Sequence, residues 1–206
     1  MSDYGPRCVL GITGNIASGK STVVRQLVEL GATHIDADVV YRELVALGMP
    51  LLGELERHFG ADIIAADGSL DRSKLGAIVF SDSEKLRQLD ELTHPSVIAE
   101  IDSRVERAPS DQIVVIDAVK LIESGHADHC DEVWVVTVTI DLQVARLMKR
   151  NTLSEVEARR RVSSQAPMEP KLARADRVID NSGTLEHTRS QVESAWTVFL
   201  ASSACN

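Results

Sequence analysis

Gly14-Asn15-Ile16-Ala17-Ser18-Gly19-Lys20-Ser21 matches GxxxxGK[ST] at every fixed position. Val9, Leu10 and Ile12 precede it as a short apolar run. Val23, Val24, Leu27, Val28 and Leu30 follow at helical spacing before Gly31. A strand, a glycine-framed loop and a helix in that order form a phosphate cradle. The glycines let successive N–H groups turn inward, and the helix N-terminus adds the positive end of its dipole. In this geometry Lys20 reaches the β- and γ-phosphates, and the Ser21 hydroxyl suits Mg²⁺, a hard cation that takes oxygen ligands. The motif therefore predicts a nucleoside triphosphate site.

The rest of the chain sets the scale of that site. Its 206 residues are 44% hydrophobic and 26% charged, which fits one well-buried α/β domain. A net charge of −9 with 3% aromatic residues argues against nucleic acid as a partner, since a single-strand binder needs a basic groove and stacking rings. Met1 to Arg7 lacks the pattern of a signal peptide, and no apolar run is long enough to span a bilayer. The expectation is a cytoplasmic protein, away from membranes, monomeric or a weak homo-oligomer. Cys8, Cys130 and Cys205 match no metal-ligand spacing and read as reduced thiols.

Apolar runs at Cys8–Ile12, Thr33–Asp36, Gln112–Asp117, Glu132–Thr139 and Arg177–Asp180 alternate with helical patterns, which predicts a parallel sheet flanked by helices. Val39 to Arg107 is too long for a simple crossover and is expected to build the acceptor site. Within it, Gly48-Met49-Pro50, Asp67-Gly68 and His94-Pro95 read as stops. Asp71 stands where it would cap a helix from Arg72, and Pro95 suits a helix's first turn. Thr184 to Leu200 reads as a packing helix, with Ala201 to Asn206 as a frayed end.

Three further groups carry candidate chemistry. Asp36 and Asp38 fall two apart at the end of the second strand pattern, where open α/β sheets place ligands. Asp38 is the better candidate for the base that receives an acceptor's proton; the same spacing fits an N-cap, with Arg42 as its ion-pair partner. Asp117 closes a Val/Ile run as a Mg²⁺-holding carboxylate does, though a turn aspartate would look the same. Residues 141–174 carry eight basic side chains against four acidic ones, a concentration of positive charge suited to a lid over triphosphate. There Arg146 and Arg150 lie one helical turn apart, so both guanidiniums can face the same phosphates. Asp180-Asn181-Ser182-Gly183 follows the last strand, where a loop can cup a base. His94 reads from spacing alone as a capping or core residue.

Taken together these residues resemble the dephospho-CoA kinase family. The resemblance covers nearly the whole chain. It rests on Gly11-Ile12-Thr13-Gly14 with Gly19-Lys20-Ser21-Thr22, on Ile35-Asp36-Ala37-Asp38 with Arg42, on Phe59-Gly60 through Asp67-Gly68 to Leu70 and Arg72, and on Leu92-Thr93-His94-Pro95. Asp117 with Leu121 and Glu123, Arg146 and Arg150, Arg161 to Gln165, and Ala175-Asp176 through Val178 to Gly183 complete it. It implies a P-loop kinase fold with a five-stranded parallel sheet (core about 7–38, 112–140 and 175–200), a helical CoA-binding insertion (about 39–107) and a mobile lid (about 141–174). It also implies transfer of the γ-phosphate of ATP to the ribose 3′-hydroxyl of dephospho-CoA, with Mg²⁺. Asp38 would then be the base, and Asp38, Arg42 and His94 would meet the acceptor. Lys20, Arg146 and Arg150 would stabilise the transferring charge. Gly14, Asn15, Ile16, Ala17, Ser18, Gly19, Lys20, Ser21 and Thr22 would hold the phosphates, Asn181 and Gly183 would adjoin adenine, and Ser21 and Asp117 would hold the metal. The chain departs from the family pattern at Val119-Lys120, where Pro-Leu is usual, and at Asn15, where glycine is commoner. The rival readings are a P-loop kinase for another small hydroxyl or nucleotide acceptor, and a binding module without transfer; the lack of an NKxD motif argues against a GTPase.

Overall fold

A computed structural model describes residues 7–201. The described chain runs β1 (Val9–Thr13), α1 (Lys20–Glu29), β2 (Thr33–Asp36), α2 (Ala37–Leu44), α3 (Pro50–Phe59), α4 (Arg72–Phe80), α5 (Ser83–Arg107), β3 (Val114–Asp117), β4 (Glu132–Thr137), α6 (Ile140–Asn151), α7 (Glu155–Ser163), α8 (Glu169–Arg174), β5 (Arg177–Asp180) and α9 (Leu185–Leu200). The sheet is five-stranded and parallel, in the order β2-β3-β1-β4-β5. In register, Val9 faces Val114, Leu10 faces Glu132, and Trp134 faces Arg177. The expected strands are present, with β3 starting at Val114 and β4 stopping at Thr137, because Thr139 is already the N-cap of α6.

The chain divides into two compact units, one comprising residues up to Ile35 and from Arg107 onward, the other Asp36–Glu106. In the first, β1 and β3 are buried along their whole length, which is why they read as unbroken apolar runs rather than alternating ones. Leu10 and Ile12 pack with Val23, Val24 and Leu27 of α1 and with Val192, Trp196 and Phe199 of α9. Val28 and Leu30 of the predicted stripe are exposed, so the buried face of α1 is narrower than its apolar content. The opposite face of β1 carries Gly11, where a Cβ would lie 2.6 Å from Leu121 Cδ2 and 2.9 Å from Cys130 Sγ. Only a glycine lets the segment after β3 lie this close. The connections leaving β1 and β3 run to opposite sides of the sheet order, so the carboxyl ends of these two strands form a switch point. The phosphate loop and Asp117 stand there.

The second unit has its own core, in which Val45, Leu51, Leu55, Ile63, Leu75 and Val79 are buried. Pro50 occupies the first turn of α3, where its missing N–H costs nothing. Asp67-Gly68-Ser69 turns the chain as expected, with the Ala65 N–H donating to the Ser69 carbonyl (2.8 Å). The Asp71 carboxylate caps α4, accepting from the N–H groups of Ser73 (3.1 Å) and Lys74 (3.0 Å).

Pro95 corrects the sequence reading. It lies inside the 25-residue α5 and starts no new helix. A proline there forfeits one main-chain hydrogen bond and costs about 3 kcal/mol. Leu86, Leu89 and Leu92 before it and Ile101 and Val105 after it are drawn into apolar surroundings. At about 1.5–3 kcal/mol for each fully buried side chain, that burial outweighs the break.

The thiol expectation also needs correction at one position. Cys130 keeps its thiol, which donates to the His126 carbonyl (3.7 Å), whereas Cys8 is disulfide-bonded. The expectations for Met1 to Pro6 and for residues 202–206 lie outside the described residues. Asp71→Ala should lower stability by about 1 kcal/mol, the usual cost of a lost N-cap, read as a lower urea midpoint with unchanged m-value.

Candidate active site

Gly14 to Ser21 leaves β1 and enters α1. The Ser18 N–H donates back to the Asn15 carbonyl (3.1 Å), which closes the turn. Gly19, with φ +89°, occupies the N-cap position of α1 and offers no side-chain cap, and the first turn of the helix has no acidic residue. The N-terminal amides of α1 and their dipole are thus left for an anion. A Cβ on Gly19 would strike the Asn181 amide, so a glycine is needed there for space as well as for backbone angle. Ser18 Oγ is buried and makes no hydrogen bond among the described residues, so one polar atom of the loop is available to a ligand.

Lys20 projects from the first turn of α1 and pairs with Asp117, the buried carboxylate at the end of β3. His34 Nε2 stands 3.8 Å from the other Asp117 oxygen. A cation and a carboxylate held together beside a phosphate loop keep the lysine aimed while leaving oxygen donors, from Asp117 and Ser21, whose chemistry fits a small hard cation.

The outer side of the loop is held by residues that sequence reading assigned otherwise or missed. Gln143 Nε2 donates to the Ile16 carbonyl (2.9 Å), and the Ile16 N–H donates to Gln165 Oε1 (2.8 Å). Arg146 donates to the carbonyls of Ala17 (3.3 Å), Ser18 (3.1 Å) and Asn181 (2.8 Å). Asn181 Nδ2 donates to the Ser18 carbonyl (2.7 Å), while its Oδ1 accepts from the Thr188 hydroxyl (2.9 Å). Ile16 and Ala17 pack against Val144, Leu147 and Ala158 of α6 and α7. Ala17 has φ +57°, a left-handed angle that costs a non-glycine residue about 1–2 kcal/mol, and the grip on its carbonyl helps hold it there.

Arg146 and Arg150 have different partners. Arg150 is exposed and its Nε donates to Asn151 Oδ1 (3.0 Å), so one helical turn of separation has not brought the two guanidiniums to the same target. Asn15 Nδ2 donates to the Ala166 carbonyl (3.3 Å), which gives this departure from the usual glycine a contact of its own. In the turn after β5, the Ser182 hydroxyl and N–H hold the Asp180 carboxyl below its ordinary range, and Gly183 is exposed.

The second departure, Val119-Lys120, lies in the turn after β3. The carbonyl of Val119, not its side chain, makes the contacts, accepting from Thr13 Oγ1 (3.0 Å) and from Lys171 Nζ (2.8 Å). A carbonyl is common to proline and valine. Lys120 is exposed and Leu121 buried. Gln143, Gln165, Thr188 and Lys171 carry no local signal that separates them from ordinary helix residues; only their partners mark them.

In the second unit, α2 starts at Ala37, with Asp36 as its N-cap. The Asp36 carboxylate accepts from the N–H groups of Asp38 (2.8 Å) and Val39 (3.1 Å). This corrects the expectation that both aspartates share one side of a strand end and that Asp38 is the alternative cap. Asp38 is in the first helical turn and exposed. Arg42 Nε donates to the Asp38 carbonyl (3.0 Å), so that hydrogen bond leaves the carboxylate uninvolved. His94, half-buried on α5, has Nε2 3.5 Å from Asp90 Oδ1.

A family model described as dephospho-CoA kinase matches residues 8–187. The dephospho-CoA kinase of Symbiobacterium thermophilum is 47% identical over 190 residues, covering 91% of this chain and 80% of that protein. Among solved structures, the Thermus thermophilus protein TT1252 matches with a TM-score of 0.78 at 32% identity, covering 93% of this chain and 97% of that one. The Campylobacter jejuni dephospho-CoA kinase shares the fold, with a TM-score of 0.61 at 24% identity over 95% and 98% of the two chains. With a family match that runs from the first strand into the last helix, the chain belongs to the dephospho-CoA kinases, the family that catalyses the last step of coenzyme A biosynthesis.

Proposed function

We propose a division of labour among the residues of this family member. The reaction moves the γ-phosphoryl group of ATP to the ribose 3′-hydroxyl of dephospho-CoA, giving CoA and ADP. The observation that carries the donor assignment is the uncapped N-terminus of α1 behind a glycine-framed loop, with Lys20 held against a buried carboxylate. The loop amides and Lys20 bind the β- and γ-phosphates and offset the charge that spreads over the transferring group. Arg146 keeps the loop wound by holding its carbonyls, and Arg150 completes the positive side. Asn181 and Gly183 border the adenine.

Ser21 and Asp117 would hold Mg²⁺ through oxygen, which matches that ion's preference. When bound, the ion would neutralise phosphate charge and align the donor. Asp38 is the base: its carboxylate is exposed, and the cap at its own N–H is supplied by Asp36. It orients the 3′-hydroxyl and accepts its proton late in a loose transition state. Arg42 and His94 contact the acceptor, and residues 141–174 serve as a lid. No helix of the described residues is long and apolar enough to cross a membrane, and the acidic chain fits a cytoplasmic enzyme, monomeric or weakly self-associating.

A kinase for another acceptor is separated from this reading by mass detection of CoA formed from dephospho-CoA and Mg-ATP. Phosphorylation of sugars or nucleoside monophosphates with dephospho-CoA left unchanged would overturn it. Asp38→Asn should bind ATP normally while turnover falls about 10²–10⁴-fold, the range for a positioned base. Wild-type turnover in that variant would remove Asp38 from the mechanism. Lys20→Ala should both weaken ATP binding, read by calorimetry, and lower kcat by about 10²–10³-fold.

A further inference from the structure

Lys171 of α8 is 2% exposed, among the most buried large side chains of the protein. Lysine is almost never this buried unless paired. Its ammonium donates to the Val119 carbonyl (2.8 Å) and to both Glu123 oxygens (2.6 and 2.8 Å). Three donors thus meet three acceptors, all in the turn that follows Asp117.

The partners are unequal in exposure. The Glu123 side chain is 38% exposed, so the lysine bears most of the desolvation, which costs several kcal/mol per buried ion. An apolar residue of similar length would fill the same space without that cost. A charge at this position gains by fixing where the turn lies.

What the turn controls is close by. Asp117 is two residues before Val119, and the Ala118 N–H donates to the Ile12 carbonyl (3.1 Å). The Val119 carbonyl also accepts from the hydroxyl of Thr13, the buried last residue of β1, immediately before Gly14. One carbonyl therefore joins the lysine of α8, the residue from which the phosphate loop departs, and the turn that carries Asp117. Farther on, Leu121 seats against Gly11, and its carbonyl accepts from the Ala127 N–H (2.9 Å), so the far end of the turn is anchored as well.

We infer that Lys171 is a positioning residue for phosphoryl transfer: with Glu123 and the Val119 carbonyl it holds the turn after β3 so that the Asp117 carboxylate stays aligned with Lys20 and the phosphate loop. The inference rests on the assignment of Asp117 to the site. Lys171 touches neither substrate and acts through that carboxylate.

The test is a double-mutant cycle between Lys171→Met and Asp117→Asn, with kcat and both KM values measured at saturating Mg²⁺, well below each variant's thermal transition. Lys171→Met should lower kcat on the order of tenfold or more while changing both KM values less than about twofold. In the Asp117→Asn background the same substitution should cost almost nothing further. A lower Tm with unchanged kcat would make Lys171 purely structural and overturn the inference. So would an undiminished kcat loss in the Asp117→Asn background. Wild-type turnover of Asp117→Asn alone would instead remove Asp117 from the site, a separate result. If Lys171→Met does not fold, Glu123→Gln, which keeps the shape and loses the charge, decides by the same two readouts.

Discussion

A loop that turns its N–H groups inward around an anion must turn carbonyls outward, and buried carbonyls need donors. This constraint organises the first unit. The carbonyls of Ile16, Ala17 and Ser18 are met by Gln143, Arg146 and Asn181, from α6 and from the turn after β5. The glycines permit the winding, and these donors stabilise it. The helices that follow β4 are therefore part of the loop's support, because an unbraced loop with a left-handed alanine would relax. Asn181 fits at Gly19 only because that residue lacks a Cβ, so loop and brace are matched atom by atom.

Buried charge in the same unit obeys a related economy. Lys20 with Asp117, and Lys171 with Glu123, are ion pairs set on either side of one short turn. Such pairs contribute little net stability when their desolvation is counted. They contribute position, because a charged hydrogen bond tolerates less displacement than an apolar contact. Position is what phosphoryl transfer requires, since the protein supplies alignment and fixed charge more than covalent chemistry.

The sheet was legible because burial on both faces leaves Val/Ile runs, and the phosphate loop because its backbone angles restrict residue type. Asp71 was legible as a cap because capping is local. Pro95 was misread because a local rule marks a helix boundary there, while the apolar stripe on both sides of it carries the helix through. Asp36 and Asp38 were misread together: the strand ends at Asp36 as expected, but α2 starts at once with Ala37 and puts the second aspartate on a helix, where alternation no longer applies. Spacing on α6 permitted Arg146 and Arg150 to converge, but long side chains follow their partners, and Arg146 found carbonyls while Arg150 met Asn151.

By itself the sequence determined the strand–loop–helix that carries the GxxxxGK[ST] motif, the alternation that builds a parallel sheet, and the family to which these motifs point. Each depends on residue type at short range, through backbone angle, periodicity or charge. Only the tertiary structure decided which side chains brace the loop, why Val119 is tolerated, and that Lys171 is buried against Glu123. Those contacts join residues far apart in the chain, and no local pattern records which distant carbonyl a glutamine or lysine will meet.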